Sequence, residues 1–254
     1  DNEHYFGHSI YCGGKFEGEQ YAYFSRAVIE AMPVIGFEPD IIHVNDWHTA
    51  IIPMLLKTQY DSYPQGRRKS VLSIHNLGYQ GRFDFGYTAH LLGIEEQYNH
   101  PDYIEFHGGA NFLKGGIVFA DKLVTVSPTY AHEIRTPHYG EGLDGVLETR
   151  TDDLIGILNG IDTGAFNPAA DPLIPYPFDI ASLSEKQKNK HALIDELGLK
   201  IDPAAPLIGM VTRLTKQKGI DLVLGVFDEI MDAGPGFVLI GTGDKEYEHF
   251  FRGV

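Results

Sequence analysis

DIIHVND (residues 40–46), running into WHTAIIPMLLKTQY (residues 47–60), is the stretch from which the fold is read. A short β-branched run cut off by polar residues has the texture of a strand buried in a parallel sheet, and the residues behind it read as a helix. The same alternation recurs along the chain. EQYAYFSRAVIEAMPVIG (19–36) has helical spacing, KSVLSIHN (69–76) reads as a strand, and NFLKGGIVFA (111–120) falls in a mixed helical stretch. KLVTVS (122–127) then reads as a strand, with PTYAHEIR (128–135) opening a helix. Strand followed by helix, repeated, predicts an α/β protein with a doubly wound parallel sheet.

After DLIGILNGID (153–162) the texture changes. NPAADPLIPYPF (167–178) is proline-rich and extended, and SLSEKQKNKHALIDELGL (182–199) is a charged amphipathic helix with Ser184 as its expected cap. PLIGMVTRL (206–214), the helical GIDLVLGVFDEIMDAG (219–234) and GFVLIGTGD (236–244) begin a second strand and helix series. Two α/β units are therefore expected, residues 1–157 and 158–254, joined near Ile155–Asp162. The second has two or three recognisable strands where a doubly wound sheet has five or six, and Asp1 is not preceded by an opening strand. The expectation is of a central portion of a longer chain, with both sheets incomplete.

Composition narrows the function. With 254 residues and 43% hydrophobic content the chain can bury a sizeable core. A net charge of -15 argues against nucleic acid, whose binding rests on clustered Lys and Arg. No apolar run is long enough for a membrane span, and the N-terminus has neither the basic start nor the apolar centre of a signal peptide. The single cysteine, Cys12, excludes an intrachain disulfide and fits a reducing, cytoplasmic setting.

In open α/β sheets ligands sit beyond the carboxyl ends of the strands. RLTKQKG (213–219) lies at such an end and gathers Arg213, Lys216 and Lys218 in an acidic chain. An arginine fork, lysine charges and helix amides near Gly219 would clamp a diphosphate. The competing reading is a solvated basic turn, and placement behind a buried strand favours the clamp. GTGD (241–244) lacks the third glycine of a dinucleotide fingerprint and is read equally as a ligand contact or a tight turn. His43, Asp46 and His48 do not have zincin spacing, so no metal is expected, and Asp46 is read as the cap of a helix starting at Trp47 or His48 with Trp47 packed beneath it. His75, followed by Asn76 and Gly78, is read as the wall of a polar pocket, a buried core histidine being the alternative. Lys114 before Gly115 and Gly116 predicts a close backbone approach or a bend, and Asp121 with Lys122 a capped turn.

Taken in order, DIIHVNDWHTAIIP, IHNLGYQG, NFLKGGIVFADKLVTVSPTYAHEI, GEGLDGVL, GILNGIDTGAFNP, VTRLTKQKGIDLV and GTGDKEYE resemble the glycogen synthase and starch synthase family across most of residues 36–250. These are retaining glycosyltransferases that carry glucose from ADP-glucose to the non-reducing end of an α-1,4-glucan. The resemblance implies the GT-B fold, two Rossmann-like domains facing across a cleft, the first on the acceptor side and the second binding the nucleotide sugar. It implies that Arg213 and Lys218 hold the donor's distal phosphate and that His75, with Asn76, lies against the transferred glucosyl unit. It also places Asn159 and Asp162 in the junction loop and Gly241, Thr242, Gly243 and Asp244 on the nucleotide side. No cofactor or metal is implied, and the partners are ADP-glucose and glycogen.

A different sugar donor, or a glucan-binding piece without turnover, are the rival readings. The family's Lys-Thr-Gly-Gly-Leu and Glu-x-Cys/Phe-Gly loops are not in these residues, so the chain by itself is expected to be inactive. Phe16 and Gln20 stand where the family usually has an acid and an arginine, leaving Glu17 or Glu19 as substitutes.

Overall fold

The computed structural model describes residues 3–5, 7–8 and 13–253. Cys12 lies outside them. The chain forms two compact units, Asp1–Gly160 and Ile161–Val254.

The first unit runs α1 (Gly14–Ile35), β1 (Ile41–Asn45), α2 (Asp46–Thr49), α3 (Ile51–Thr58), β2 (Lys69–Ile74), β3 (Arg82–Phe83) and α4 (Phe85–Leu92). It continues β4 (Glu105–Phe106), β5 (Gly109–Asn111), α5 (Phe112–Phe119), β6 (Lys122–Thr125), α6 (Pro128–Glu133), α7 (Asp144–Glu148) and β7 (Leu154–Gly156). β1, β2, β6 and β7 form one parallel sheet in that order, with Val44 beside Leu72 and Leu72 beside Leu123. Between β2 and α5 the chain adds a small antiparallel sheet, β3-β5-β4, which the periodicity does not announce because its strands are two or three residues long.

The core sits where α3 and α5 pack on the sheet. Ile51, Ile52, Met54, Leu55 and Leu56 of α3 are buried together with Leu72, Ile74, Phe112 and Ile117. The two glycines after Lys114 explain themselves here, since a Cβ on Gly116 would lie 2.7 Å from the Ala50 Cβ. They are contact glycines between helices, not a bend. Lys114 is buried at 4% exposure and donates from Nζ to the carbonyls of Pro101 (2.5 Å) and Glu105 (2.6 Å). Burial pulls its pKa down, against the nearby Glu105 and Asp102 charges.

Asp121 is more than a capped turn. Its carboxylate crosses from the start of β6 to accept from the Ser70 amide (2.8 Å) and hydroxyl (3.1 Å), and pairs with Lys69 at 3.0 Å.

The second unit holds α8 (Leu183–Leu197), β8 (Leu207–Val211), α9 (Ile220–Gly225), α10 (Phe227–Asp232), β9 (Gly236–Ile240) and α11 (Lys245–Gly253). β8 and β9 pair in parallel, Gly209 beside Val238. Two expectations are corrected. Ser184 lies inside α8; the N-cap is Ser182, whose hydroxyl is committed to Asp179. The single helix read over 219–234 is two, broken at Val226, where φ is -130°. Among the described residues no helix is long and apolar enough to cross a membrane.

Candidate active site

In the first unit the carboxyl ends of β1 and β2 lie side by side. His75, one residue past β2, is exposed, which removes the buried-core reading. Its Nε2 stands 2.9 Å from Asn45 Oδ1. Asp46 does not cap the helix as expected. Its backbone sits at φ 53°, a left-handed conformation uncommon for a side-chain-bearing residue. From there its Oδ1 accepts from the amides of His75 (2.8 Å) and Asn76 (3.4 Å). Asn76 Oδ1 in turn accepts from the Gly78 amide at 3.0 Å, closing the turn. Sequence reasoning missed Asn45 and Asp46 as supports of this loop; their adjacency to the next strand end was the available signal.

Beneath the loop lies a buried amide relay. Gln80 Nε2 donates to the carbonyls of Leu77 (3.2 Å) and Glu141 (3.0 Å), while its Oε1 accepts from Asn111 Nδ2 at 2.8 Å. Gln80 thereby joins the His75 loop to the turn at Glu141 and Gly142, which have φ 49° and 80°. Trp47 is buried against the same loop. A Cβ on Gly81 would fall 2.2 Å from its ring, and Gly81 itself has φ 64°. Nothing but glycine fits there without rearrangement.

The histidines weighed as metal ligands have other partners. His43 Nε2 meets Ser73 Oγ at 2.7 Å, and His48 stacks on Trp47 with centroids 4.3 Å apart. Burial holds the His48 imidazole below its ordinary 6.5, with Asp46 opposing. Among the described residues no three His, Cys, Asp or Glu side chains are grouped to hold a metal.

At the N-terminus of α1, Glu17 Oε2 accepts from the Gly13 amide (3.1 Å) and Glu19 Oε1 accepts from the Tyr5 hydroxyl (2.7 Å). Burial, then this carboxylate, push the Tyr5 phenol up to about 12. Gln20 Nε2 donates to the Tyr5 carbonyl at 3.2 Å, and the Phe16 ring lies edge-on to His4. Both glutamates are thus engaged in local contacts.

In the second unit Arg213 and Lys218 flank the turn leaving β8. Both side chains are exposed, and neither has an ion pair or hydrogen bond among the described residues. Gly219, at φ 71°, is the N-cap of α9 and directly follows Lys218.

The β9 exit runs alongside. Leu214 pairs with Gly243, its amide donating to the Thr242 carbonyl (2.9 Å) and its carbonyl accepting from the Asp244 amide (2.8 Å). A Cβ on Gly241 would meet the Thr212 carbonyl oxygen at 2.1 Å, and one on Gly243 the Leu214 carbonyl oxygen at 2.2 Å. The glycines let the two exits touch. The Gly243 amide is already taken by Glu248 Oε1 at 2.9 Å. Tight-turn packing therefore accounts for these two glycines, and the exposed Thr242 and Asp244 side chains are what the turn has left to offer.

Asn159, past the end of the first sheet, is exposed. Asp162 opens the second unit, where its Oδ1 accepts from the amides of Gly164 and Ala165, each at 2.9 Å, and these hold its carboxyl below the usual range.

The family model described as the starch synthase catalytic domain matches residues 1–149. The chain belongs to that family. This starch synthase family chain is 47% identical to the glycogen synthase of Bacillus subtilis and 44% to that of Anoxybacillus flavithermus. Each match takes in 99% of this chain and 52% of the relative. The family chain thus spans about half the length of the curated relatives it matches.

Among solved structures it superposes on the catalytic domain of starch synthase IV from Arabidopsis thaliana, bound to ADP and acarbose, with a TM-score of 0.87 and 36% identity. That match covers 95% of this chain and 50% of the plant chain. It bears out the α/β, GT-B fold class.

Proposed function

We propose that the full-length protein is a glycogen or starch synthase, which transfers glucose from ADP-glucose to the 4-hydroxyl at the non-reducing end of an α-1,4-glucan with retention of configuration. The observation that carries this reading is the pair Arg213 and Lys218, exposed and without a charged partner among the described residues, at a parallel strand exit in a chain of net charge -15. Preorganised cations of this kind stabilise the charge that develops on a departing diphosphate. The bond from the anomeric carbon to the ADP oxygen breaks, and the bond to the glucan oxygen forms on the same face. The hydroxyl proton leaves with the phosphate.

His75, fixed by Asn45 and Asp46, would lie against the glucosyl unit, with Asn76 completing that wall. Thr242, Gly243 and Asp244 would border the nucleotide, with Gly241 behind them, while Asn159 and Asp162 would belong to the substrate-binding loop that joins the two domains in sequence. ADP in the plant structure, together with the glycogen synthase relatives, supports the choice of substrates. A cytoplasmic enzyme acting without a cofactor completes the reading.

The test is incorporation of labelled glucose into glycogen by the full-length protein, with ADP-glucose and UDP-glucose compared. Transfer from neither donor would overturn the assignment. Efficient transfer from UDP-glucose alone would change the donor.

A further inference from the structure

On the exposed face of β1, His43 and Asn45 stand two residues apart, and each side chain reaches diagonally to β2. His43 meets Ser73, and Asn45 meets His75, two positions beyond its register partner Ser73. Asn45 is itself anchored. Its amide donates to Thr49 Oγ1 at 2.8 Å, and the same hydroxyl donates back to the Asn45 carbonyl at 2.9 Å.

His75 is therefore held at two points, its main chain by Asp46 and its ring by Asn45. Only one of these can choose a ring tautomer. A carboxamide oxygen accepts and never donates, so a neutral ring facing Asn45 Oδ1 must carry its proton on Nε2.

We propose that Asn45 is a positioning residue for glucosyl transfer: it locks His75 in the Nε2–H tautomer and leaves Nδ1 as the ring's acceptor for a sugar hydroxyl. The proposal rests on the reading of His75 as a wall of the sugar site. The titratable groups near the ring are Asp46, whose carboxylate binds the His75 amide, and His43 on the same strand face, held by Ser73. From α6, Tyr130 presents its hydroxyl to the Leu77 amide at 3.2 Å.

The test is a long-range proton–nitrogen correlation spectrum of protein labelled with 15N-histidine, the His75 signals being assigned by their loss in His75→Ala. At pH 8 the wild type is expected to show a single neutral tautomer protonated on Nε2. Asn45→Ala should release the ring to a mixture. Asn45→Asp keeps an acceptor and should restore the single tautomer.

In the full-length enzyme, Asn45→Ala should lower kcat about tenfold, the scale of one lost positioning hydrogen bond, with the KM for ADP-glucose within about twofold. Asn45→Asp, which keeps the acceptor, should recover activity, a rescue that a purely structural role would not produce. An Nδ1–H ring in the wild type, or one tautomer persisting in Asn45→Ala, overturns the proposal. Normal turnover in His75→Ala, with the tautomer as expected, overturns instead the assignment of the ring to the chemistry.

Discussion

On the proposed reading, Arg213 and Lys218 owe their expected effect to timing: their charges would matter most as the diphosphate leaves. Replacing either by alanine in the full-length protein should reduce kcat by about a hundredfold or more, with the KM for glucan little changed. Steady-state kinetics with varied glycogen would show this, and near-normal kcat in either variant would remove the clamp. Asp121 gives a residue-scale prediction about stability. Burial opposes its ionisation, but the Ser70 amide, Lys69 and Lys57 prevail and hold its carboxyl below the ordinary 3.8. A folded-state pKa below the unfolded one contributes stability that is present above the unfolded pKa and lost as pH falls through the folded pKa. Asp121→Asn should therefore lower Tm at pH 7, and the gap to wild type should close below about pH 4. Melts recorded from pH 3 to 7 decide it.

At the scale of elements, the close approach of α5 to the α2–α3 segment depends on Gly116. Gly116→Ala forces a methyl against Ala50 and Leu72 and should cost about 1–3 kcal/mol, read as a Tm several degrees lower. An unchanged Tm would mean that the helices can separate without cost. Such contacts also mark what the sequence could not disclose. The parallel strands were legible because residues 41–44 and 71–74 are short apolar runs bounded by polar residues, although β1 proves half-exposed, with Ile41 and His43 turned outward. The hairpin sheet β3-β5-β4 was not, since two-residue strands carry no period. The Arg213 and Lys218 turn could be read from charge set against an acidic background. The support of His75 could not, because Asn45 and Asp46 act across a strand pair, through a left-handed backbone that nothing in DIIHVND announces. Gly241 and Gly243 show a second limit: glycines read equally as ligand contacts or as a tight turn are also required by the neighbouring backbone, a contact the sequence does not display.

For the molecule as a whole, two compact units predict uneven resistance to proteases. The segment 163–182 is largely exposed, with Phe166 at 78%, Leu173 at 89% and Ile180 at 91%, and it contains no regular helix or strand. It also contains no Lys or Arg, so trypsin has no site there. Brief chymotrypsin treatment should cut first at Phe166, Leu173 or Phe178 and leave an N-terminal piece of about 160 residues resistant, as exposed chain outside the packed units is the preferred substrate. Mass spectrometry of the early products checks this. Early cuts within α3 or α5 would contradict the packing described for the first unit.

Trp47 is the only tryptophan in the chain, and it sits between His48 and the glycine that ends the His75 loop. Emission excited at wavelengths selective for indole therefore comes from one place, in the first unit, within one loop of the proposed sugar site. Because a protonated imidazole quenches a stacked indole, acidification should dim that signal as His48 charges, at a pH below the ordinary 6.5. These 254 residues thus carry their own optical probe, able to follow a ligand offered to the proposed sugar site or the melting of one unit while the other stays dark.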